Sequence, residues 1–253
     1  TPCSGIWQTV WLEPVPECHV RALHIRTGAD FAEIRAEGVR EGEILLEGRR
    51  YPLRDGVARL EPETLQLWSP EEPYLYRFTL ESGDDRVQSY FALRTLTTEE
   101  RGGVPRLCLN GKPYFFNALL DQGYWSDGLY TPAGPEGYEQ DILAMKSLGF
   151  NTLRKHIKLE PEQFYYDCDR LGMIVFQDMV NCGGYRYIRD TVLPTIHLQK
   201  RNDRFLNPDR EVRRNFLESM EQTVRLLGNH PCICLWTIFN EGWGQFSADE
   251  LTR

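Results

Sequence analysis

The sequence predicts a multidomain β plus α/β chain: an immunoglobulin-like β-sandwich followed by the first half of a (β/α)8 TIM barrel. Three observations carry this. From Cys18 to about Thr97, short β-type runs are broken by turn residues. After residue 98, apolar strand-length runs alternate with helical patterns. That second stretch holds four strands and three helices, half of what a closed barrel requires.

In the first part, Val20-Arg21-Ala22-Leu23-His24-Ile25, Gly42-Glu43-Ile44-Leu45-Leu46 and Tyr76-Arg77-Phe78-Thr79-Leu80 alternate or nearly alternate. Gly28-Ala29-Asp30, Gly48, Asp55-Gly56 and Gly83-Asp84-Asp85 punctuate them at sandwich spacing. The charge-rich stretch from Glu33 to Glu43 reads as a solvated sandwich face.

In the second part, Tyr114-Phe115-Phe116, Asn151-Thr152-Leu153-Arg154, Met173-Ile174-Val175-Phe176 and Ile233 to Phe239 have the length of buried parallel strands. A helix from Asp141 to Gly149 presents Ile142 and Met145, with Gly149 as its C′ residue. A second opens at Glu160-Pro161, turns Phe164, Cys168 and Leu171 inward, and stops at Gly172. A third opens at Asn207-Pro208-Asp209 and carries Val212, Phe216, Met220, Val224 and Leu227 as its apolar stripe. A barrel typically needs about 250 residues and about 155 follow residue 98, so pattern alone leaves open a self-sufficient sheet of four strands.

The 253 residues are 41% hydrophobic, enough to bury a core without staples. Lys and Arg number 29 against 37 Asp and Glu, a net charge of −8 with no basic run, which argues against nucleic acid or an anionic membrane as partner. No apolar stretch approaches the ~18 to 20 residues of a membrane span. Seven scattered Cys do not form a disulfide framework. Cys232 and Cys234, two apart, read as buried thiols on one side of a strand. His19 and His24 with Glu17 are better read as surface or satisfied groups than as metal ligands. No metal or cofactor is expected.

In parallel α/β folds ligands lie at the carboxyl ends of the strands. Those ends hold Asn117 to Tyr130, Arg154-Lys155-His156, Gln177-Asp178-Met179 and Asn240-Glu241-Gly242-Trp243. Amides and carboxylates that bind hydroxyls, beside aromatic faces, suit a sugar. Glu241 is the best single candidate. Trp236, Phe239, Trp243 and Phe246 flank it, and an apolar setting would raise its pKa to suit a general acid. The other reading of Glu241 is a strand-end carboxylate that caps a helix or pairs with a cation. Asp121 and Trp125 join the candidates, Trp125 as a sugar platform or as core packing.

The run Asn229-His230-Pro231-Cys232-Ile233-Cys234-Leu235-Trp236-Thr237-Ile238-Phe239-Asn240-Glu241 resembles the acid/base signature of glycoside hydrolase family 2. Asn151 to His156 is similar to the end of that family's second barrel strand, with Lys155 and Ile157 departing from its pattern. Asp169-Arg170-Leu171-Gly172-Met173 with Gln177-Asp178 resembles its passage from helix to third strand. Gly5 to Glu13 looks like the last strands of its jelly roll; Leu67 to Tyr76 and Tyr90 to Arg94 look like the closing half of its sandwich; Leu109-Asn110-Gly111-Lys112-Pro113 looks like the start of its barrel.

The resemblance implies residues 1–15 as the end of a sugar-binding jelly roll, 16–97 as the sandwich and 98–253 as the N-terminal half of the catalytic barrel. It implies a retaining exo-β-glycosidase acting on terminal bonds of a β-linked oligosaccharide or glycoside. Glu241 would be the general acid/base, Asn240 would bind the sugar 2-hydroxyl, and Arg154 and His156 would line the rim. Trp243 would contact substrate. A retaining enzyme needs a second carboxylate about 5 to 5.5 Å away, and the resemblance puts that nucleophile beyond Arg253. The chain then reads as an interior piece of a longer enzyme, inactive alone. The alternatives are a non-catalytic carbohydrate-binding or structural fragment, or a barrel glycosidase of a related family.

Overall fold

The structure, a computed structural model, describes residues 5–181, 183, 187–196, 209–241 and 244–252. Alternation builds the N-terminal unit. Strands β1 (Ala22–Thr27), β2 (Ala32–Glu37), β3 (Gly42–Leu46), β4 (Arg49–Leu53), β5 (Val57–Leu60), β6 (Tyr76–Ser82) and β7 (Asp85–Phe91) form two antiparallel sheets, in the orders β1-β2-β5 and β4-β3-β6-β7. Ala32, Ile34 and Ala36 of β2 and Tyr76, Phe78 and Leu80 of β6 are buried, while the residues between them are not. The two inner faces meet in one core with Ile44, Leu46, Leu60 and Phe91. Each large side chain removed from water there contributes roughly 2 kcal/mol.

Residue 98 lies inside a strand, not at a break. β8 (Leu96–Arg101), β9 (Val104–Leu109) and β10 (Lys112–Pro113) form an antiparallel ribbon that the sequence reading did not expect. Its turn at Asn110-Gly111 puts both residues at positive φ, 54° and 72°. Asn110 is also a tie: its Oδ1 accepts from Thr95 N at 3.0 Å and its Nδ2 donates to Trp68 O at 3.0 Å.

Four parallel strands follow: β11 (Ala118–Asp121), β12 (Thr152–Lys155), β13 (Ile174–Asp178) and β14 (Ile233–Thr237). Their order, β11-β12-β13-β14, follows the sequence without reversal. An open doubly wound sheet reverses its order at a switch point, whereas an arc of a barrel does not. Helices α1 (Glu136–Ser147) and α2 (Glu162–Leu171) fill the first two crossovers. The third contains a π-helical turn (Ile188–Val192), the short α3 (Leu193–Thr195) and the long α4 (Arg210–Leu227); α5 (Ala248–Leu251) follows β14. Leu153, Ile174, Val175 and Ile233 pack against Ile142, Phe164, Cys168 and Leu227 in the second core. No helix among the described residues is long and apolar enough to cross a membrane.

Several expectations are corrected. The first parallel strand is β11, not Tyr114-Phe115-Phe116. Tyr114 and Phe116 stack edge-on at 5.2 Å, and Tyr114 donates to Glu71 at 2.7 Å, so this aromatic run anchors a loop. Helix α1 begins at Glu136, earlier than the predicted Asp141, because Tyr138 belongs to its buried face. In α4 Val224 is exposed although it shares the apolar stripe. Asp209 caps α4, its side chain accepting from Glu211 N and Val212 N; Asn207 and Pro208 lie outside the described residues. Gly5 to Glu13 forms no strand: Trp11 is 70% and Leu12 99% exposed. A strand needs a neighbour to pair with, and no described segment supplies one.

Gly172 ends α2 at φ 74°, and a Cβ there would meet Pro70 O at 2.5 Å. Lys146 Nζ closes the same junction, donating to Pro70 O, Leu171 O and Gly172 O at 2.7 to 2.8 Å. Gly149 has φ 89° with open space around it. Gly172→Ala is therefore expected to cost roughly 2 to 4 kcal/mol in urea unfolding, against about 1 kcal/mol for Gly149→Ala. Equal costs would show that Pro70 gives way freely.

Candidate functional site

Side chains at successive strand positions point to opposite faces, and β12 shows both outcomes at its C-terminal end. Arg154 faces one way. Its Nε and Nη2 donate to Oδ1 and Oδ2 of Asp178, each at 3.0 Å, and Nη2 also donates to Asn240 Oδ1 at 2.7 Å. Asp178 is fully buried at the end of β13, and Asn240 is buried after β14. A buried carboxylate needs such a bidentate cation to offset its lost hydration. One guanidinium thus joins the ends of three adjacent strands.

Lys155 faces the other way, toward the helices. Its Nζ lies 2.9 Å from Asp121 Oδ2 and 2.5 Å from Glu160 Oε1. Lys158 reaches the same Glu160 oxygen at 2.8 Å and donates to Gly123 O and Tyr130 O. Tyr138 donates to Glu160 Oε2 at 3.2 Å. Burial pushes the Lys158 ammonium below the usual lysine range, with Glu160 opposing the shift. The rings of Trp7, Tyr124 and Tyr130 surround that ammonium at 5.3 to 5.7 Å.

The structure brings Arg154, Asn240 and Glu241 to one rim and separates two other candidates from it. Asp121 has both oxygens engaged internally, by Lys155 and by Gly123 N at 2.8 Å. Trp125 packs edge-on against Tyr138, ring centroids 5.8 Å apart, and its Nε1 is buried without a partner among the described residues. Both line a cleft of about 350 Å³ beside α1, with Asp141, whose carboxyl is raised by burial first and by Asp121 second. Trp125 thus packs against the second core and also lines this cleft. His156 donates its backbone N–H to Asp121 O at 2.9 Å, and its ring is half-buried. Trp243 lies outside the described residues.

Glu241 follows Asn240 directly, at φ 52°, in the left-handed region that a non-glycine residue seldom adopts. Such strain gathers where backbone geometry serves a site. Of the apolar shell expected around it, two described members pack elsewhere. Phe239 and Phe246 turn to Phe216 of α4, with centroids 5.2 and 5.9 Å from that ring, and Glu241 itself is exposed. Among the described residues no group of three or more His, Cys, Asp or Glu gathers to hold a metal. Sequence reasoning missed Asp178 as the anchor of Arg154. The signal was present: a carboxylate one strand over, facing the same way as Arg154.

A family model described as "Glycosyl hydrolases family 2, TIM barrel domain" matches residues 107–252. A β-galactosidase of Aeromonas hydrophila subsp. hydrophila is 32% identical over 193 residues, covering 73% of this chain and 17% of that protein. A β-glucuronidase of Chlorocebus aethiops is 23% identical over 266 residues, 94% of this chain and 37% of its own length. Among solved structures, a β-D-glucuronidase of Dictyoglomus thermophilum superposes with a TM-score of 0.69 at 18% identity over 89% of this chain and 39% of that one. A β-glucuronidase of an uncultured Clostridium sp. gives 0.72 at 16% identity, over 89% and 38%. The chain therefore spans well under half the length of these relatives. With more than half of its residues matched to that family's barrel domain, the chain belongs to the glycosyl hydrolases of family 2.

Proposed function

We propose that these residues belong to a retaining exo-β-glycosidase that hydrolyses terminal β-glycosidic bonds, with Glu241 as general acid and base. The carrying observation is the Arg154 guanidinium that holds Asp178 and Asn240 together and so supports the Asn240-Glu241 turn on the strand-end rim. Glu241, being exposed, has access to a glycosidic oxygen. In the first step it gives its proton to the leaving oxygen while a carboxylate attacks the anomeric carbon. In the second it takes a proton from the water that releases the sugar. Asn240 is the amide for the 2-hydroxyl, and His156 lines the rim.

Asp178 is not assigned as the nucleophile, because both its oxygens accept from Arg154. The reading draws that carboxylate from outside the described residues. The two N-terminal sheets support an immunoglobulin-like unit within 16–97, and the four parallel strands in sequence order support half of the barrel within 98–253; the end of a jelly roll at 1–15 rests on the sequence resemblance alone. A second reading, a non-catalytic carbohydrate-binding unit, is favoured by the absence of an apolar cover over Glu241 among the described residues.

The test is to incubate the full-length protein with p-nitrophenyl β-galactoside, β-glucuronide and β-mannoside and follow the first-formed sugar by proton NMR. Turnover of at least one, with the β-anomer appearing first, is expected. The α-anomer first overturns retention. Sugar affinity without turnover on the panel supports the second reading instead.

A further inference from the structure

Five consecutive residues before and at the start of β14 are each bonded to a distant part of the chain. Asn229 Oδ1 accepts from Ile25 N at 2.9 Å and its Nδ2 donates to Leu23 O at 2.7 Å. β1 is an edge strand, so this amide fills its open side as another strand would. His230 Nδ1 lies 2.7 Å from Asp169 Oδ2, the oxygen to which Tyr90 of β7 donates, also at 2.7 Å. Cys232 N donates to Asp169 Oδ1 at 2.7 Å. Arg94 donates from Nε to Pro231 O at 2.5 Å and from Nη2 to Ile233 O at 2.7 Å. Asp169 is fully buried, and its carbonyl accepts from Trp68 Nε1 at 2.8 Å.

We propose that Arg94 and Asn229 are positioning residues through which the N-terminal sandwich fixes β14 and so places Asn240 and Glu241. This rests on the acid/base reading of Glu241. The physical case is mechanical. β14 runs from Ile233 to Thr237, roughly 13 Å at about 3.3 Å per residue. Among the described residues it is paired only with β13, and that ladder shifts register between Val175 and Phe176. That irregularity lies beside Ile233, and the bonds made by residues 229–233 fix this end of β14. A displacement of ~1 Å at a proton donor is enough to lower its rate by one to two orders of magnitude.

The test compares Arg94→Ala and Asn229→Ala in the full-length protein on two substrates of the same sugar. One has a poor leaving group (methyl); the other, 2,4-dinitrophenyl, leaves without a proton. Expected is a fall in kcat/KM of about tenfold for the methyl glycoside and less than about twofold for the dinitrophenyl one. Arg94→Lys, able to hold one of the two carbonyls, is expected to recover part of the loss. Equal losses on both substrates, or none, overturn the proposal. Should Arg94→Ala not yield folded protein, Asn229→Ala and Tyr90→Phe carry the same comparison. Glu241→Gln separates the two readings: if it shows the leaving-group split and the clamp variants do not, the clamp alone fails. A wild-type protein without turnover overturns both.

Discussion

Glu241→Gln in the full-length protein is expected to lower kcat/KM for glycosides of poor leaving groups by about 10² to 10⁴, equivalent to roughly 3 to 5 kcal/mol of barrier. Glutamine keeps the size and the turn geometry of a residue held at φ 52°, so the change removes a proton and little else. The loss should shrink strongly for a dinitrophenyl glycoside, whose departure needs no acid. Added azide, which requires no general base, should speed the second step of the variant. Activity within about twofold of wild type on the methyl glycoside would remove Glu241 from the mechanism and leave it as an exposed strand-end carboxylate.

The second large effect concerns stability. Glu160→Gln is expected to destabilise the fold by about 3 to 5 kcal/mol, because it leaves Lys155 and Lys158 with one carboxylate instead of two in a buried cluster. Glu160 is 0%, Lys155 1% and Lys158 7% exposed, so water cannot replace the missing charge. For a unit of this size the thermal midpoint should fall by roughly 10 °C. Glu139→Gln is the control. Its ion pair with Arg170, 2.7 Å long, is partly exposed, and Arg170 keeps Asp167 as a partner, so its midpoint should move little. A small effect of Glu160→Gln would mean that one lysine deprotonates at little cost, a route that burial of Lys158 already favours.

The two cores were legible because burial repeats with the period of each element. Phe78 and Leu80 alternate with exposed or half-buried neighbours, and Pro161 and Gly172 mark both ends of α2. The β8–β9 ribbon was not legible, because its residues carry little apolar alternation and both faces remain largely exposed. Tyr114-Phe115-Phe116 misled for the opposite reason: an apolar run signals a buried strand, yet Tyr114 and Phe116 are half-buried as loop anchors and Phe115 is 81% exposed.

At the site, the sequence by itself determined which residues arrive at the strand ends, since the position of Arg154, Asp178 and Asn240 follows from local pattern. It also determined the family, through the ordered run from Asn229 to Glu241. Only the tertiary structure decided what those residues touch. Asp121 and Arg154 were candidates for the same substrate, yet one pairs with Lys155 beneath the helices and the other with Asn240 on the rim. Strand alternation sorts neighbours onto opposite faces. Partners, however, come from segments as far as 86 residues apart, as Arg154 and Asn240 are, and no local pattern encodes that meeting. The same holds for the stretch from Asn229 to Pro231, whose side chains and carbonyl reach the sandwich across more than a hundred residues of chain.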